Sequence, residues 1–181
     1  MKIIHLSLLF FLFSAPHIHA QSPASSASAP APSEVKWYSF EDGMKLAGKK
    51  HKAVILDIYT EWCGWCKKMD NETFRDPQVV SYLNEKFIAI KLDAEGKAPI
   101  AYDGTVYTNP NPNSSRSTHQ LAVALAGSQL SYPTYIYMDS KGKPITGSKG
   151  YSQAEDLLPL LKYIGSDAYK TKTWKEFTDL K

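Results

Sequence analysis

Hydrophobic residues along this chain form short continuous runs, separated by longer stretches in which apolar positions recur every three or four residues. The runs are almost entirely apolar and rich in β-branched or aromatic residues, which is typical of strands buried on both faces. They lie at 53–59, 87–92 and 134–138. Between and around them, the helical periodicity predicts helices that cover roughly 40–49, 76–87, 117–127 and 152–164, and a further helix is expected to start at Cys63.

Most of the predicted helices begin at a recognisable start signal. A Ser followed three residues later by an acid or amide can satisfy the first free backbone N–H groups of a helix. These pairs are Ser39 with Asp42, Ser117 with Gln120, and Ser152 with Glu155. Asp76-Pro77 places a proline at a first helical position, where its missing N–H costs nothing. Pro159 falls inside the last helix, so we expect a kink there or a later start.

The segment 94–116 interrupts this pattern. Its second half, 107–116, is rich in Asn, Pro and Ser, and we expect it to contain no regular element. After it, the strand at 134–138 is followed by a turn at 139–142 and a returning antiparallel edge at 144–148. A further short strand is predicted at 35–38. Strands that alternate with helices indicate a parallel core sheet, to which the final hairpin adds an antiparallel edge.

Composition limits the classes of function. The chain has 181 residues, of which 43% are hydrophobic and 22% charged, and its formal net charge is only +3. Basic and acidic residues are interspersed, so no basic block points to nucleic acid. The length and composition predict one globular domain over 34–181, preceded by extensions.

The first 33 residues differ from the rest. Lys2 precedes an apolar run at 3–13 that is too short to span a bilayer, and a cleavage after Ala20 would complete a signal peptide over 1–20. The alternative is an uncleaved membrane anchor. Residues 21–33 contain only Gln, Ser, Pro and Ala, which is typical of a flexible linker. We therefore expect an exported protein, periplasmic or secreted, with no stable membrane insertion after cleavage.

The chemistry of the chain lies in its two cysteines, Cys63 and Cys66, which form one C-x-x-C directly after the strand at 53–59. A helix N-terminus lowers the pKa of a cysteine placed on it, so it favours the reactive thiolate. We therefore expect Cys63 to be exposed at the helix start and to act as the nucleophile. Cys66, one helical turn later, is close enough to resolve a mixed disulfide.

These residues resemble the thioredoxin superfamily. The run 56–67 matches its strand, tryptophan and C-G-x-C helix start, and 71–79 with Lys91-Leu92-Asp93 resemble exported bacterial thioredoxin-like proteins related to the reductase end of DsbD-type proteins. The resemblance covers roughly residues 50–165. It implies an α/β thioredoxin fold, a three-layer sandwich with a central mixed β-sheet flanked by helices.

The resemblance also assigns roles to single residues. Asp57 stands where thioredoxins keep a buried acid that assists proton transfer at the resolving cysteine; burial would raise its pKa. Pro133 stands where the family has a cis-proline that presents backbone to substrate. Taken alone, Asp57 is an ordinary acid, Pro133 an ordinary trans proline, and Trp62 a core residue. The implied substrate-binding residues are Trp62, Gly64, Trp65, Tyr132 and Pro133.

The spacer Gly64-Trp65 differs from the Gly-Pro of thioredoxin, so a reducing potential does not transfer directly. Tyr132 is bulkier than the residue usual before the proline. His51 and His119 fit no zinc signature together with the cysteines, and we expect neither a metal nor an organic cofactor.

The sequence therefore predicts an exported thiol–disulfide oxidoreductase that exchanges electrons with protein disulfide or dithiol substrates and with a separate redox partner. We expect a monomer acting as a reductase. Two alternatives stay open. One is an oxidase or isomerase, and the other is a non-catalytic binding module with a structural disulfide. Exposure of Cys63 and its thiolate character separate the catalytic from the structural case.

Overall fold

The computed structural model describes residues 33–127 and 129–179. The predicted signal peptide and all but the last residue of the predicted linker lie outside these ranges. Within them, no helix is both long enough and apolar enough to cross a membrane.

Seven strands are formed by the described residues. They are β1 (Trp37–Tyr38), β2 (Ala53–Tyr59), β3 (Phe87–Asp93), β4 (Ile100–Tyr102), β5 (Thr105–Tyr107), β6 (Thr134–Met138) and β7 (Pro144–Lys149). Six α-helices accompany them: α1 (Phe40–Lys50), α2 (Gly64–Asn71), α3 (Pro77–Lys86), α4 (Gln120–Ala126), α5 (Ala154–Gly165) and α6 (Trp174–Thr178).

Five of the strands form one mixed sheet in the order β1-β3-β2-β6-β7. The first three strands of this order run parallel, and β6 and β7 each run antiparallel to their neighbours. The central strand β2 is paired on both sides, which explains its continuous apolar run. The predicted parallel core with an antiparallel edge is therefore confirmed.

Alternate residues of β2 point into two separate cores. Ile55 packs with the aromatic residues of β6 and with side chains from α3 and α5. Leu56 and Ile58 pack on the opposite face with α1 and α4. The sheet therefore lies between two helical layers, as the resemblance implied.

Two helix starts are as predicted. The Ser39 hydroxyl accepts the backbone N–H of Asp42 at the start of α1. The Asp76 carboxylate accepts two backbone N–H groups at the start of α3, with Pro77 as the first helical residue. In both cases the capping side chain precedes an apolar stripe that faces the sheet.

Two other predicted caps are wrong. Ser117 does not cap α4, because its hydroxyl donates to Asn109 Oδ1 at 2.6 Å; His119 is the cap instead. Ser152 does not cap α5, which begins after Gln153 without a side-chain cap. For Ser117 a contact with a distant loop residue competes for the hydroxyl, whereas the Ser152 hydroxyl donates only to the carbonyl of the adjacent Gln153, at 3.5 Å.

Pro159 lies inside α5, which begins five residues earlier at Ala154. The helix therefore does not start at the proline, which was one of the two predicted outcomes. The helix keeps three buried residues, Leu157, Leu161 and Ile164, against the sheet. Burying such side chains contributes roughly 1.5–3 kcal/mol each, which outweighs the loss of one helical hydrogen bond.

The segment 94–116 is more ordered than predicted. Strands β4 and β5 form an antiparallel hairpin, in which Tyr102 pairs with Thr105. Asp103 and Gly104 between them both have positive φ, at 49° and 75°. Asp-Gly is a strong hairpin signal for this reason, because a two-residue turn of this hand requires φ > 0 at both positions.

The close approach of α1 to the sheet gives a testable prediction. A methyl group at Gly43 would lie 2.6 Å from Ile90 Cδ1 and 3.3 Å from Tyr38 Cβ. We expect Gly43→Ala to lower the free energy of unfolding by about 1–2 kcal/mol, because overpacking exceeds the gain in helix propensity. Urea denaturation measures the change.

Gly48 on the same helix is the matched control. It is exposed, and a methyl group there would meet only the Ser140 carbonyl oxygen, at 3.8 Å. Gly48→Ala should stabilise the protein by about 0.5–1 kcal/mol through helix propensity. Equal effects of the two substitutions would show that Ile90 does not restrict the approach of α1.

Candidate active site

The two cysteines lie where the central strand β2 gives way to α2. Cys63 is the N-cap of α2, and its Sγ accepts the backbone N–H of Cys66 at 3.0 Å. Its own N–H donates to the carbonyl of Thr60 at 3.1 Å. Cys63 and Cys66 form a disulfide, with their Cα atoms 5.3 Å apart. The pair therefore sits at the positive end of a helix that starts directly after a buried strand.

Cys63 is less exposed than expected. Only 3% of its surface is accessible, the same fraction as for Cys66. The expectation of an exposed Cys63 is wrong for this oxidised state, because its sulfur is bonded to Cys66 and turned toward the backbone of α2. Exposure at the site comes instead from the residues beside the cysteines.

Trp62 forms one side of the site and is 53% exposed. Its indole Nε1 donates to Glu95 Oε1 at 2.9 Å, and the Arg116 guanidinium lies 5.3 Å from a ring centroid. Tyr132 packs edge-on against the indole, with centroids 5.8 Å apart. Both ends of the segment 94–116 therefore contact the residue next to Cys63.

Trp65 forms the other side and is 56% exposed. Its ring lies 5.7 Å from that of Tyr151, and the Lys68 ammonium lies 4.6 Å from the Tyr151 centroid. The Tyr151 hydroxyl donates to Glu72 at 2.7 Å. These contacts hold an exposed indole in a defined position beside the disulfide.

Pro133 follows a cis peptide bond from Tyr132, as predicted. Thr134, the next residue, pairs with Ile58 near the end of β2 that leads to the cysteines. The contact between Tyr132 and Trp62 places this loop next to the disulfide. Gly64 lies on the open side, since a Cβ there would meet no atom within 4 Å.

Asp57 is 1% exposed within β2. Its Oδ2 accepts from Lys91 Nζ at 3.0 Å, and the same ammonium lies 2.8 Å from both carboxylate oxygens of Asp70 on α2. Burial raises the pKa of Asp57 from 3.8 to about 6, against the lowering effect of Lys91. Asp70 is one helical turn after Cys66, so this network connects the buried acid to the helix of the dithiol.

Sequence reasoning missed the roles of Lys91 and Asp70. Lys91 interrupts an apolar strand, as Asp57 does, and the two residues are direct partners in the parallel register. Opposite charges in two adjacent buried strands are a signal that the sequence contains. Because strand register is not visible in a sequence, the pairing could be proposed only once the sheet was assembled.

His119 and His51 have other environments. The Nδ1 of His119 accepts the Leu121 N–H at 3.1 Å, and Nε2 lies 3.1 Å from the Ala98 carbonyl oxygen. Both ring nitrogens of this buried side chain are therefore engaged with backbone. His51 is exposed at the C-terminus of α1.

Comparison with known proteins agrees with this geometry. Residues 18–164 match the sequence profile of the family Thioredox_DsbH, described as a protein of unknown function, DUF255. A relative named thiol:disulfide interchange protein DsbD, from Photorhabdus laumondii, is 32% identical over 113 residues, which are 62% of this chain and 16% of that protein. The match therefore spans only a small part of the relative's length.

Two solved structures share the fold. A thioredoxin from Thermus thermophilus superposes with a TM-score of 0.55 at 17% identity, over 72% of this chain and 87% of the other. A structure described as DsbH oxidoreductase superposes with a TM-score of 0.53 at 15% identity, over 84% of this chain and 96% of the other.

The sheet order, the C-x-x-C pair at the start of α2 and the match over 147 of the 181 residues agree with one another. The molecule has a thioredoxin fold with a C-x-x-C disulfide at the start of α2. The chain thus belongs to the Thioredox_DsbH family of the thioredoxin superfamily and is related to the thioredoxin-like part of DsbD.

Proposed function

We propose that this protein is an exported thiol–disulfide oxidoreductase that reduces disulfides in protein substrates. The observation that carries the proposal is the Cys63–Cys66 disulfide at the N-terminus of α2, with exposed indoles on both sides. The relatives named thiol:disulfide interchange protein support an exchange function.

In the reduced protein, the Cys63 thiolate attacks a sulfur of the substrate disulfide. The substrate S–S bond breaks, a mixed disulfide with Cys63 forms, and the first substrate thiolate leaves. The Cys66 thiol then loses its proton, and its thiolate attacks the Cys63 sulfur. The second substrate thiolate leaves, so the substrate gains two electrons and the Cys63–Cys66 disulfide forms. A dithiol donor must then reduce the pair again.

Cys63 is suited to the first step by its position. A thiolate there accepts the Cys66 N–H, which already points at the sulfur at 3.0 Å. A hydrogen bond to the charged form, together with the partial positive charge of a helix N-terminus, favours the thiolate.

Asp57 is suited to the second step as the proton acceptor. A carboxyl with a pKa of about 6 is mostly ionised at neutral pH but accepts a proton readily. The Lys91 ammonium holds its Oδ2, and Asp70 ties the same ammonium to the helix that carries Cys66.

Substrate binding falls to the exposed residues around the disulfide. We propose that an extended substrate segment lies between Trp62 and Trp65 and pairs with the backbone beside Pro133, as an added strand does. The open space at Gly64 leaves room for the substrate chain. The two indoles supply a large apolar contact area, and because each has few rotatable bonds, little side-chain entropy is lost on binding. Tyr132, which packs against Trp62, enlarges the apolar surface on that side.

The burial of Cys63 favours one alternative, a binding module with a structural disulfide. Two features argue against it. The bridge joins residues only three apart, and a loop this short constrains the unfolded chain little. The second feature is the buried Asp57 with its raised pKa, which lowers the stability of the folded protein at neutral pH. A purely structural disulfide does not need such an acid.

The direction of exchange is decided by the reduction potential of the Cys63–Cys66 couple. About 30 mV changes the two-electron equilibrium tenfold, so equilibration with glutathione separates a reductase from an oxidase or isomerase. We propose a low, reducing potential. A value as oxidising as that of DsbA, about −120 mV, would support the oxidase instead.

The roles of the two cysteines are tested by single substitutions. We expect Cys63→Ser to abolish disulfide reductase activity and Cys66→Ser to trap mixed disulfides with substrate proteins, because the resolving thiol is missing. Insulin reduction and non-reducing gels measure the two effects.

The same experiment separates catalysis from structure. Cys63→Ser and Cys66→Ser remove the same bridge, so a structural role predicts equal loss of stability and no trapped complexes from either. Complexes that formed through Cys66 in the Cys63→Ser protein would reverse the assigned roles.

Asp57 gives a prediction about stability and pH. Folded Asp57 keeps its proton up to about pH 6, whereas the unfolded chain releases it near pH 3.8, so stability falls as the pH rises through this window. Above pH 6 the buried charge costs up to about 3 kcal/mol, the free-energy equivalent of this pKa difference. We expect Asp57→Asn to be more stable than the wild type at pH 7, with a smaller difference at pH 4.5.

The same variant should exchange disulfides more slowly at neutral pH, because it cannot accept the Cys66 proton. The wild-type rate of resolution should show an inflection near pH 6, where Asp57 titrates, whereas that of Asp57→Asn should follow only the ionisation of the Cys66 thiol and show no inflection there. Identical pH profiles of the two proteins in stopped-flow assays would reduce Asp57 to a structural residue.

Export is tested separately. A chain cleaved after Ala20 should appear outside the cytoplasm with a mature N-terminus near Gln21, as measured by mass spectrometry of fractionated cells. Retention of Met1 in the exported protein would contradict cleavage and favour an anchor.

A further inference from the structure

Tyr135 is the direct neighbour of Asp57 on the side of the sheet away from Lys91. The two residues are partners in the antiparallel register of β2 and β6, so their side chains lie on the same face. Both are 1% exposed. Asp57 is therefore flanked across the sheet by an ammonium on one strand and a phenol on the other.

Asp57 Oδ1 and Tyr135 Oη are both buried, and within the described residues neither has a hydrogen-bond partner. The other carboxylate oxygen, Oδ2, is bonded to Lys91. The Tyr135 ring is packed edge-on against Phe74, with centroids 5.7 Å apart. A buried polar group without a partner costs about 1–3 kcal/mol, so two of them on adjacent positions of one face require an explanation.

A single water molecule between the two oxygens would satisfy both of them. A buried water needs two to four polar partners, and one hydroxyl with one carboxylate oxygen meets this need. The hydroxyl is neutral, because burial and the nearby charge of Asp57 both raise the pKa of Tyr135. It therefore acts as a hydrogen-bond donor to the water, which in turn donates to the carboxylate.

We propose that a buried water links Tyr135 Oη to Asp57 Oδ1 and makes Tyr135 a positioning residue for the proton acceptor of the dithiol. The inference rests on the proposed function of Asp57. When Asp57 is ionised, the water donates to Oδ1. When Asp57 has taken the Cys66 proton on this oxygen, the carboxyl donates to the water, which then accepts hydrogen bonds from both the carboxyl and the Tyr135 hydroxyl.

Several other titratable groups surround Asp57. Lys91 faces Asp57 from β3, and Asp70 lies behind that ammonium on α2. Tyr59 lies on the same face of β2, and Tyr137 on the same face of β6. Of these groups Lys91 donates to the Asp57 carboxylate, and the Tyr135 water adds a second donor on the opposite oxygen.

Tyr137 provides a matched control. It is buried on the same strand and face, two residues from Tyr135, but its hydroxyl lies 3.3 Å from the Ser148 hydroxyl. Tyr137→Phe therefore removes an equally buried phenol hydroxyl that is bonded elsewhere.

The experiment is a carbon-13 NMR titration of the Asp57 carboxyl in the full chain, in the wild type, Tyr135→Phe and Tyr137→Phe. Because a hydrogen bond to the charged form lowers a pKa, its loss in Tyr135→Phe should raise the pKa of Asp57 by about one unit. Tyr137→Phe should leave it within about 0.3 units of the wild type, since the Tyr137 hydroxyl is bonded to Ser148 and donates no hydrogen bond to Asp57. An unchanged pKa in Tyr135→Phe, or equal shifts in both variants, would overturn the proposal.

A crystal structure of the wild-type protein supplies a second measurement that does not depend on a variant folding. Density for a water within hydrogen-bond distance of both Tyr135 Oη and Asp57 Oδ1 is expected, and its absence would reject the link. Neither measurement uses disulfide exchange. A protein that shows the water and the shifted pKa but reduces no disulfide would contradict the proposed function alone.

Discussion

The site depends on a carboxylate held inside a sheet. Asp57 lies on the central strand, which is paired on both sides, and only 1% of its surface is exposed to solvent. Desolvation and the charge of Lys91 act on its pKa in opposite directions, and desolvation prevails, because the pKa remains raised at about 6. The ion pair therefore lowers the cost of burial without removing it, as is common for buried pairs.

The Lys91 ammonium connects this strand to the rest of the site. It is shared between Asp57 and Asp70, and it lies 4.9 Å and 4.8 Å from the ring centroids of Trp37 and Tyr59. The Lys91 ammonium thus contacts the buried acid, a carboxylate on α2 and two aromatic rings. These four partners keep the ammonium charge in place, and proton transfer in a buried site requires charges that are already positioned.

The dithiol itself is surrounded by residues from distant parts of the chain. Trp62 is positioned by Glu95 and Arg116 of the segment 94–116, and Trp65 by Tyr151. The cysteines are buried while the neighbouring indoles are exposed, so in the proposed function a substrate protein meets aromatic surface first. In this proposal the two tryptophans of the short motif Trp62 to Cys66 recognise the substrate, and its two cysteines carry out the exchange.

Local signals identified most of the fold. Continuous apolar runs are characteristic of paired parallel strands, and the α1 and α3 caps satisfy N–H groups within three residues of the cap, so both are visible without tertiary context. The predictions that failed concern polar groups with two possible partners. Ser117 bonds to Asn109 and leaves the capping of α4 to His119, a choice that depends on how a distant loop folds back.

The sequence alone determined the strand–helix order, the C-x-x-C pair at a helix start and the resemblance to thioredoxins, because these features depend on residues near one another in the chain. Tertiary structure decided the burial of Cys63, the positions of the indoles and the partners of Asp57. Lys91 and Tyr135 are 34 and 78 residues from Asp57, and only strand register places them on either side of it. Register follows from the packing of the whole sheet, since a shift by one residue would turn every one of these side chains to the opposite face.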